Sequence, residues 1–396
     1  MANMVPKERK SMTERMKTLN TVAQKVNEKA GKKIVGFIGK DPEIMEKLRI
    51  KFIKTPSVEV NDAMGGGLPK GRITIISGLS DSGKTSLLLE TIAHNQQEDP
   101  EFIAAWLESE NSLQKEYVCD TFGIDPDRFF FIGHDKKMAG EGAIDLLDSV
   151  LEAGVVDMAV VNSLKMLVPS EEFRKSVGDA VVGTQARMNA RMMRKITAMV
   201  AEEEIALAIV QHLTVDIGSA SRDPLVLSGG HAIRFAAAIT LDLRKKSIQE
   251  TDPIKREEGI KVGVTVRKNH CVPDRNPYVK VDYFAIFGQG IERYLPIISK
   301  AVTDGVLMQS GAFIRDPDAN GDPKVVDGVK YQWQGKEKFR QFLIDNPAYY
   351  KELQDRVGGV VEQLSDEEMA LLQQDIAAEE ELTKTEEKKS KTAKAK

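Results

Sequence analysis

Apolar residues gather in short, nearly unbroken runs, and between the runs the apolar positions recur at helical spacing. The runs at 72–77, 102–107, 129–132, 158–161 and 205–210 contain few polar residues and are too short for buried helices. Strands covered on both faces read this way, because neither side of the sheet meets water. Helices are expected at 86–93, 112–122, 141–153 and 184–203. The alternation predicts an α/β core: a mostly parallel sheet flanked by helices, with its ligand at the carboxyl ends of the strands.

Further along, strands at 236–243, 259–268 and 279–286 follow one another without long helices, so the sheet is expected to continue with antiparallel neighbours. Residues 296–364 read as a small C-terminal α/β domain, with a helix at 336–344 and another opening at Asn346 and Pro347. At the other end, Met12, Met16, Leu19, Val22, Ala23 and Val26 mark an amphipathic helix over 12–30 that stops near Gly31. It lies in a Lys/Arg-rich segment, 1–54, which suits either docking on a neighbouring subunit or packing on its own domain. The core is expected over 55–295. The charged tail, 365–396, passes from Glu379, Glu380 and Glu381 to a lysine-rich end and holds too little apolar surface to fold.

Composition narrows the class. With 396 residues, 41% hydrophobic and 29% charged, the chain can bury one large core and smaller attached pieces. No apolar run reaches the roughly 18 residues of a membrane span, and the first residues lack the apolar stretch of a secretion signal. Cys119 and Cys271 have no metal-ligand spacing, so a reducing cytoplasm is the expected setting. The net charge of −4 hides a basic start and an acidic tail.

The chemistry is concentrated between the first run and its helix. Gly78, Leu79, Ser80, Asp81, Ser82, Gly83, Lys84 and Thr85 follow the spacing G-x-x-x-x-G-K-[ST] of a phosphate-binding loop. Gly78 and Gly83 permit the tight turn, and the backbone N–H groups from Ser80 to Ser86, with the positive end of the helix, suit phosphate oxygens. Lys84 supplies a mobile cation for the β- and γ-phosphates, and the Thr85 hydroxyl is a hard ligand suited to Mg²⁺. The loop predicts binding of ATP with Mg²⁺.

Past the strand at 102–107 the chain carries Glu108 and Glu110, and from there landmarks accumulate in order. They include Asn162 and Ser163, Gly178 and Asp179, Gln185 to Arg187, Gly229 and Gly230, Leu241 to Arg244, Lys268 and Asn269, Phe287 to Ile291, and Ser310 to Phe313. Over about residues 55–355 the chain resembles the RecA family of ATP-dependent strand-exchange recombinases, with the divergence of a phage-encoded member. The resemblance implies a RecA-like P-loop ATPase core. It also implies that Glu110 is the catalytic carboxylate that orients the attacking water, that Tyr117 packs on adenine, and that Phe287 lies near the same base. A carboxylate at the end of the strand beside the phosphate loop is within reach of a γ-phosphate, and Glu108, on the same side of the strand, is its rival.

Two positions depart from the family pattern. Asn162 stands where an aspartate holds Mg²⁺ through water, so the metal site has an amide in place of a charge. His212 stands at the γ-phosphate sensor, ahead of a long glycine-containing loop at 214–230. The resemblance further implies DNA-binding loops at 176–183 and before His231. Their candidates are Val182 as a wedge, Arg187, Arg191 and Arg194 on one helix face, and Gly229, Gly230 and Arg234. Lys268 corresponds to a lysine that reaches a neighbouring subunit's ATP, with His270 in place of its second lysine.

The expected activity is homologous pairing and strand exchange by a helical filament of this chain on single-stranded DNA, engaging duplex DNA and assisted by single-strand-binding and mediator proteins. A hexameric helicase or loader with the same core, and an ATP-gated filament that coats DNA with little hydrolysis, are the alternatives.

Overall fold

The first helix, α1 (Met12–Ala30), is fixed at both ends by its own sequence. Ser11 Oγ accepts the Glu14 N–H while the Glu14 carboxylate accepts the Ser11 N–H, and Gly31 closes the helix with φ 66°. The computed structural model describes residues 10–133, 138–174, 183–215, 225–227, 231–250, 252–272 and 279–358. They belong to two units, one ending at Ile50 and one beginning at Lys51. In the first, α1 is followed by α2 (Pro42–Leu48), whose cap Asp41 also pairs with Lys33 at 2.9 Å.

The second unit opens with a two-strand ribbon, β1 (Phe52–Ile53) and β2 (Leu68–Pro69), around α3 (Val58–Met64). The main sheet is then built from β3 (Arg72–Gly78), β4 (Ala104–Glu108), β5 (Phe129–Gly133), β6 (Met158–Asn162), β7 (Ala206–Val215), β8 (Leu225–Leu227), β9 (Ile239–Lys246), β10 (Gly259–Asn269), β11 (Lys280–Ile286) and β12 (Gly290–Ile291). Its order is β12-β11-β10-β9-β3-β7-β6-β4-β5, with β8 paired to β7. From β9 to β5 every pairing is parallel, and β10, β11 and β12 are antiparallel.

Helices cover both faces, which explains the unbroken apolar runs. On one face α4 (Lys84–Glu98) lays Leu88 and Ile92 against Trp106, Val160, Val210 and Leu241. On the other, α5 (Gly140–Glu152) and α7 (Thr184–Glu202) lay Leu147, Leu151, Met192 and Ile196 against Leu107, Val161 and Ile209. A short α6 (Ser170–Phe173) lies between them in sequence. Because side chains alternate across a strand, Glu108, Asn162 and His212 share the α4 face with Trp106, Val160 and Val210.

Three expectations shift. The helix expected at 112–122 is reduced to a wide turn at Glu116–Thr121, and ahead of it the Ser112 N–H and hydroxyl are both held by the Glu108 carboxylate. The strand expected from 236 starts at Ile239, since α8 (His231–Ala236) occupies the residues before it. Part of the expected loop at 214–230 is strand: Leu225–Leu227 pairs with the end of β7 through Leu213, Thr214 and Val215.

The chain then enters α9 (Tyr294–Thr303), the strands β13 (Met308–Ser310) and β14 (Phe313–Arg315), the hairpin β15 (Val325–Val326) and β16 (Val329–Lys330), β17 (Gln332–Gln334), α10 (Lys336–Asp345) and α11 (Pro347–Gly358). This part has its own core of Ile298, Leu307, Phe339, Leu343 and Leu353, with Trp333 stacked on Phe339 at 4.0 Å. The Arg340 guanidinium meets the buried Glu292 carboxylate at 2.9 Å, and the Lys351 ammonium reaches Glu98 on α4 at 2.5 Å. No described helix is long and apolar enough to cross a membrane.

Candidate nucleotide site

The phosphate loop is the turn between β3 and α4. At Gly78 a Cβ would sit 2.4 Å from Ser82 Oγ and 2.5 Å from the Leu243 carbonyl oxygen, so no other residue fits without moving the backbone. Gly83 enters α4 with φ 86° and no side chain among the described residues caps the helix, which leaves the first-turn N–H groups of Lys84, Thr85 and Ser86 directed at the loop. Lys84 Nζ donates to the carbonyls of Leu79 at 2.7 Å and Gly78 at 3.3 Å. Burial lowers its pKa, and the carboxylates of Glu110 and Asp81 oppose that shift.

The loop forms one wall of a 480 Å³ cavity. Ser80, Asp81, Ser82, Gly83, Lys84, Thr85 and Ser86 line it, facing Glu110, Tyr117 and His212. Ser112, Gln114 and Val210 complete the lining; sequence reading does not single them out, although Gln114 lies about one helical turn before Tyr117. The Tyr117 hydroxyl is 3.2 Å from Ser86 Oγ, and its ring meets the edge of Phe122 with centroids 4.7 Å apart. The cradle of N–H groups, the buried lysine and this volume fit a nucleoside triphosphate.

The two glutamates at the end of β4 differ in environment. Glu110 reaches the cavity, and its Oε1 takes two contacts: Ser163 Oγ donates at 2.5 Å and His212 Nε2 lies at 2.8 Å. Ser163 is itself held, since Ser109 Oγ bonds both its N–H and its carbonyl. Glu108 is 3% exposed and accepts from Trp106 Nε1, the N–H groups of Glu110 and Ser112, the Ser112 hydroxyl and Asn162 Nδ2.

Asn162 is buried and does not line the cavity; its amide nitrogen meets Glu108 Oε2 at 3.0 Å. For Mg²⁺, the Thr85 hydroxyl is the hard ligand in the cavity wall, and among the described residues no cluster of three or more His, Cys, Asp or Glu forms a metal cage. That donor set fits an ion held mainly by phosphate and water, as Mg²⁺ is.

Other candidates lie elsewhere. Phe287, after β11, is exposed and outside the cavity lining. Lys268 is on β10 opposite Thr240, toward the end of the sheet away from the phosphate loop, and donates to the carbonyls of Arg234 and Phe235; desolvation lowers its pKa. Arg187, Arg191 and Arg194 are exposed along α7, with Arg187 paired to Glu171 at 2.8 Å, and Arg234 is exposed on α8. Val182, Gly229, Gly230 and the tail 365–396 lie outside the described residues.

The RecA N-terminal domain family matches residues 17–292. Protein RecA of Bifidobacterium longum is 32% identical over 345 residues, covering 87% of this chain and 80% of that protein. Protein RecA of Aquifex pyrophilus is 30% identical over 88% of this chain and 92% of its own length, and that of Paracoccus denitrificans is 29% identical over 88% and 91%. With its P-loop at the carboxyl ends of a mostly parallel sheet and this similarity along most of its length, the chain belongs to the RecA family of DNA-dependent P-loop ATPases.

Proposed function

We propose that this RecA-family chain forms a helical filament on single-stranded DNA in the cytoplasm and carries out homologous pairing and strand exchange with duplex DNA. The observation that carries this reading is the convergence, in one cavity, of the phosphate loop with Glu110, just past the end of β4, and His212 on β7, two strands of the parallel sheet with β6 between them. Glu110 positions and deprotonates the attacking water, Lys84 balances charge on the β- and γ-phosphates, and Thr85 holds Mg²⁺. Tyr117 supports the base.

His212 touches Glu110 and lies on β7, which runs on into the pairing with β8. A group at that point links the γ-phosphate to the segment at 216–230, whose Gly229 and Gly230, with Val182, Arg187, Arg191, Arg194 and Arg234, make the DNA surface. Lys268 and Phe287 lie away from this chain's own cavity, which suits contacts to the nucleotide of a neighbouring subunit.

The test is Mg²⁺-dependent phosphate release with and without single-stranded DNA. DNA should stimulate hydrolysis, and Glu110→Gln should lower kcat by at least about a hundredfold while ATP still binds. Hydrolysis that ignores DNA under every nucleotide condition would remove the DNA surface from the proposal; full activity in Glu110→Gln would remove its base.

A further inference from the structure

The parallel register sets Glu108 on β4 directly beside Asn162 on β6. Both side chains point to the α4 face, and both are buried, with Asn162 0% exposed. Two carboxylates at such a pair of positions repel unless they share a proton. An amide instead donates, and here Asn162 Nδ2 reaches Glu108 Oε2 at 3.0 Å and Ser112 Oγ at 3.3 Å. The reversed amide would place its oxygen against Oε2, so the carboxylate dictates the orientation. Asn162 Oδ1 is then left buried, with no partner among the described residues.

What Glu108 does with its other oxygen gives the pair its consequence. Oε1 accepts the N–H of Glu110 at 3.0 Å, the N–H of Ser112 at 3.1 Å and the Ser112 hydroxyl at 3.2 Å. It therefore ties down the turn that carries Glu110 and the Ser112 wall of the cavity. From Asn162 through Glu108 to the backbone of Glu110 runs one chain of hydrogen bonds, and Ser163, next to Asn162, holds the Glu110 carboxylate from the other side.

We infer that Asn162 and Glu108 are positioning residues that act as a matched amide–carboxylate pair to aim Glu110, and that Asn162 serves this pair rather than the metal. The inference rests on the reading of Glu110 as the hydrolytic base. It reverses a simple expectation: an aspartate at 162, which would add a charge toward Mg²⁺, disables this site, because it meets the carboxylate of Glu108.

The experiment compares the parent with Asn162→Asp, Glu108→Gln and the double variant in the full chain, measuring ATP hydrolysis, Mg²⁺ titration and thermal unfolding. Asn162→Asp should lower kcat by about a hundredfold, the scale of a misplaced catalytic group, with the KM for ATP and the Mg²⁺ midpoint held within about twofold. In the double variant the amide introduced by Glu108→Gln donates to the carboxylate introduced by Asn162→Asp, so the pair is restored with its roles exchanged. That variant should recover at least about tenfold over Asn162→Asp and show coupling rather than addition. Recovery stops short of the parent because the Trp106 indole loses its acceptor at Oε2.

A kcat in Asn162→Asp equal to or above the parent's, or a lowered Mg²⁺ requirement, overturns the inference and returns residue 162 to the metal site. Should the parent neither bind nor hydrolyse ATP, the ATPase reading fails by itself. The unfolding midpoints then still decide the pair: a drop in Asn162→Asp regained in the double variant upholds it, and no drop overturns it.

Discussion

The nucleotide pocket and the C-terminal domain each bury a carboxylate, and they hold it in opposite ways. Glu108 sits beneath the pocket and is satisfied by five neutral donors from a tryptophan, an asparagine, a serine hydroxyl and two backbone N–H groups. Asp316, 1% exposed, is met by Arg356 through Nη1 at 2.9 Å and Nη2 at 2.7 Å, with the Tyr349 hydroxyl at 2.8 Å. The reason for the difference is what else must be near. An arginine beside Glu108 would put a second cation next to the cavity that Lys84 lines, whereas Asp316 is not among the residues of that lining. Neutral donors fix a charge without cancelling the electrostatics of the cavity; an ion pair fixes it more strongly and cancels it.

Arg356 is where the difference is easiest to abolish. Arg356→Ala leaves Asp316 buried with one hydroxyl partner, and should cost about 3–4 kcal/mol of unfolding free energy. Because the Asp316 environment is remote from the cavity, kcat should stay within about twofold. The pH dependence follows the same pair. Burial alone would raise the Asp316 pKa, but the hydrogen bonds from Arg356 and Tyr349 hold it below the ordinary value. A depressed folded pKa contributes stability above the unfolded value and loses it as pH falls through the folded one. Parent stability should therefore drop in acid more steeply than that of Arg356→Ala, measured by urea unfolding from pH 7 down to about pH 3. Equal slopes would mean that the pair carries no stability.

A third carboxylate has too little of either device. Glu90, on the same α4 that begins with Lys84, packs against Gly290, where a Cβ would fall 2.6 Å from its Oε2, and accepts the Ile291 N–H at 2.5 Å. Burial pushes its pKa up to about 7, with that N–H and Arg293 opposing the shift. A raised folded pKa contributes stability below the unfolded value, which is lost as pH rises through the folded one. His94, one turn along, is buried and pushed down to about 4, so its contribution is lost in the opposite direction, as pH falls. Glu90→Gln keeps the acceptor and removes the ionisation. Its stability relative to the parent should rise by roughly 2–3 kcal/mol between pH 5 and pH 8, read from urea midpoints. A constant difference across that window would show that Glu90 does not titrate there.

How much of this was legible in the sequence depended on how local each cause is. The phosphate loop, the strand before it and α4 after it follow from one continuous stretch, as does the capped helix over 12–30. The antiparallel edge was readable from the absence of helices between 236 and 286. What failed to show was whatever depends on a neighbouring strand. That Asn162 turns toward Glu108 requires the β4–β6 register, and that Ser112 is tied by its N–H and hydroxyl requires the Glu108 carboxylate to turn back over the residues that follow it. Glu108 and Glu110 look equivalent in the sequence, two residues apart at a strand end; only the indole of Trp106 and the amide of Asn162 distinguish the buried hub from the group that reaches the cavity. Lys268 and Phe287 are expected near a nucleotide through the family resemblance alone, and no local pattern says that they lie away from this chain's own pocket.

The smallest expected effect tests whether the neutral donors around Glu108 are interchangeable. Trp106 is fully buried and gives its Nε1–H to Oε2 at 2.8 Å, while the bonds that steer Glu110 and Ser112 use Oε1. Trp106→Phe deletes one donor of five and leaves a small void. It should cost about 2 kcal/mol, the lost hydrogen bond and the missing ring together. Oε2 keeps Asn162 as donor, so the turn at Glu110 should hold its place and kcat should fall by no more than about threefold. A much larger loss of kcat at that modest destabilisation would show that the indole, as well as the amide, sets the aim of Glu110. The network would then be a single rigid unit in which no donor is expendable, and the contrast with the C-terminal ion pair would be one of function as well as of electrostatics.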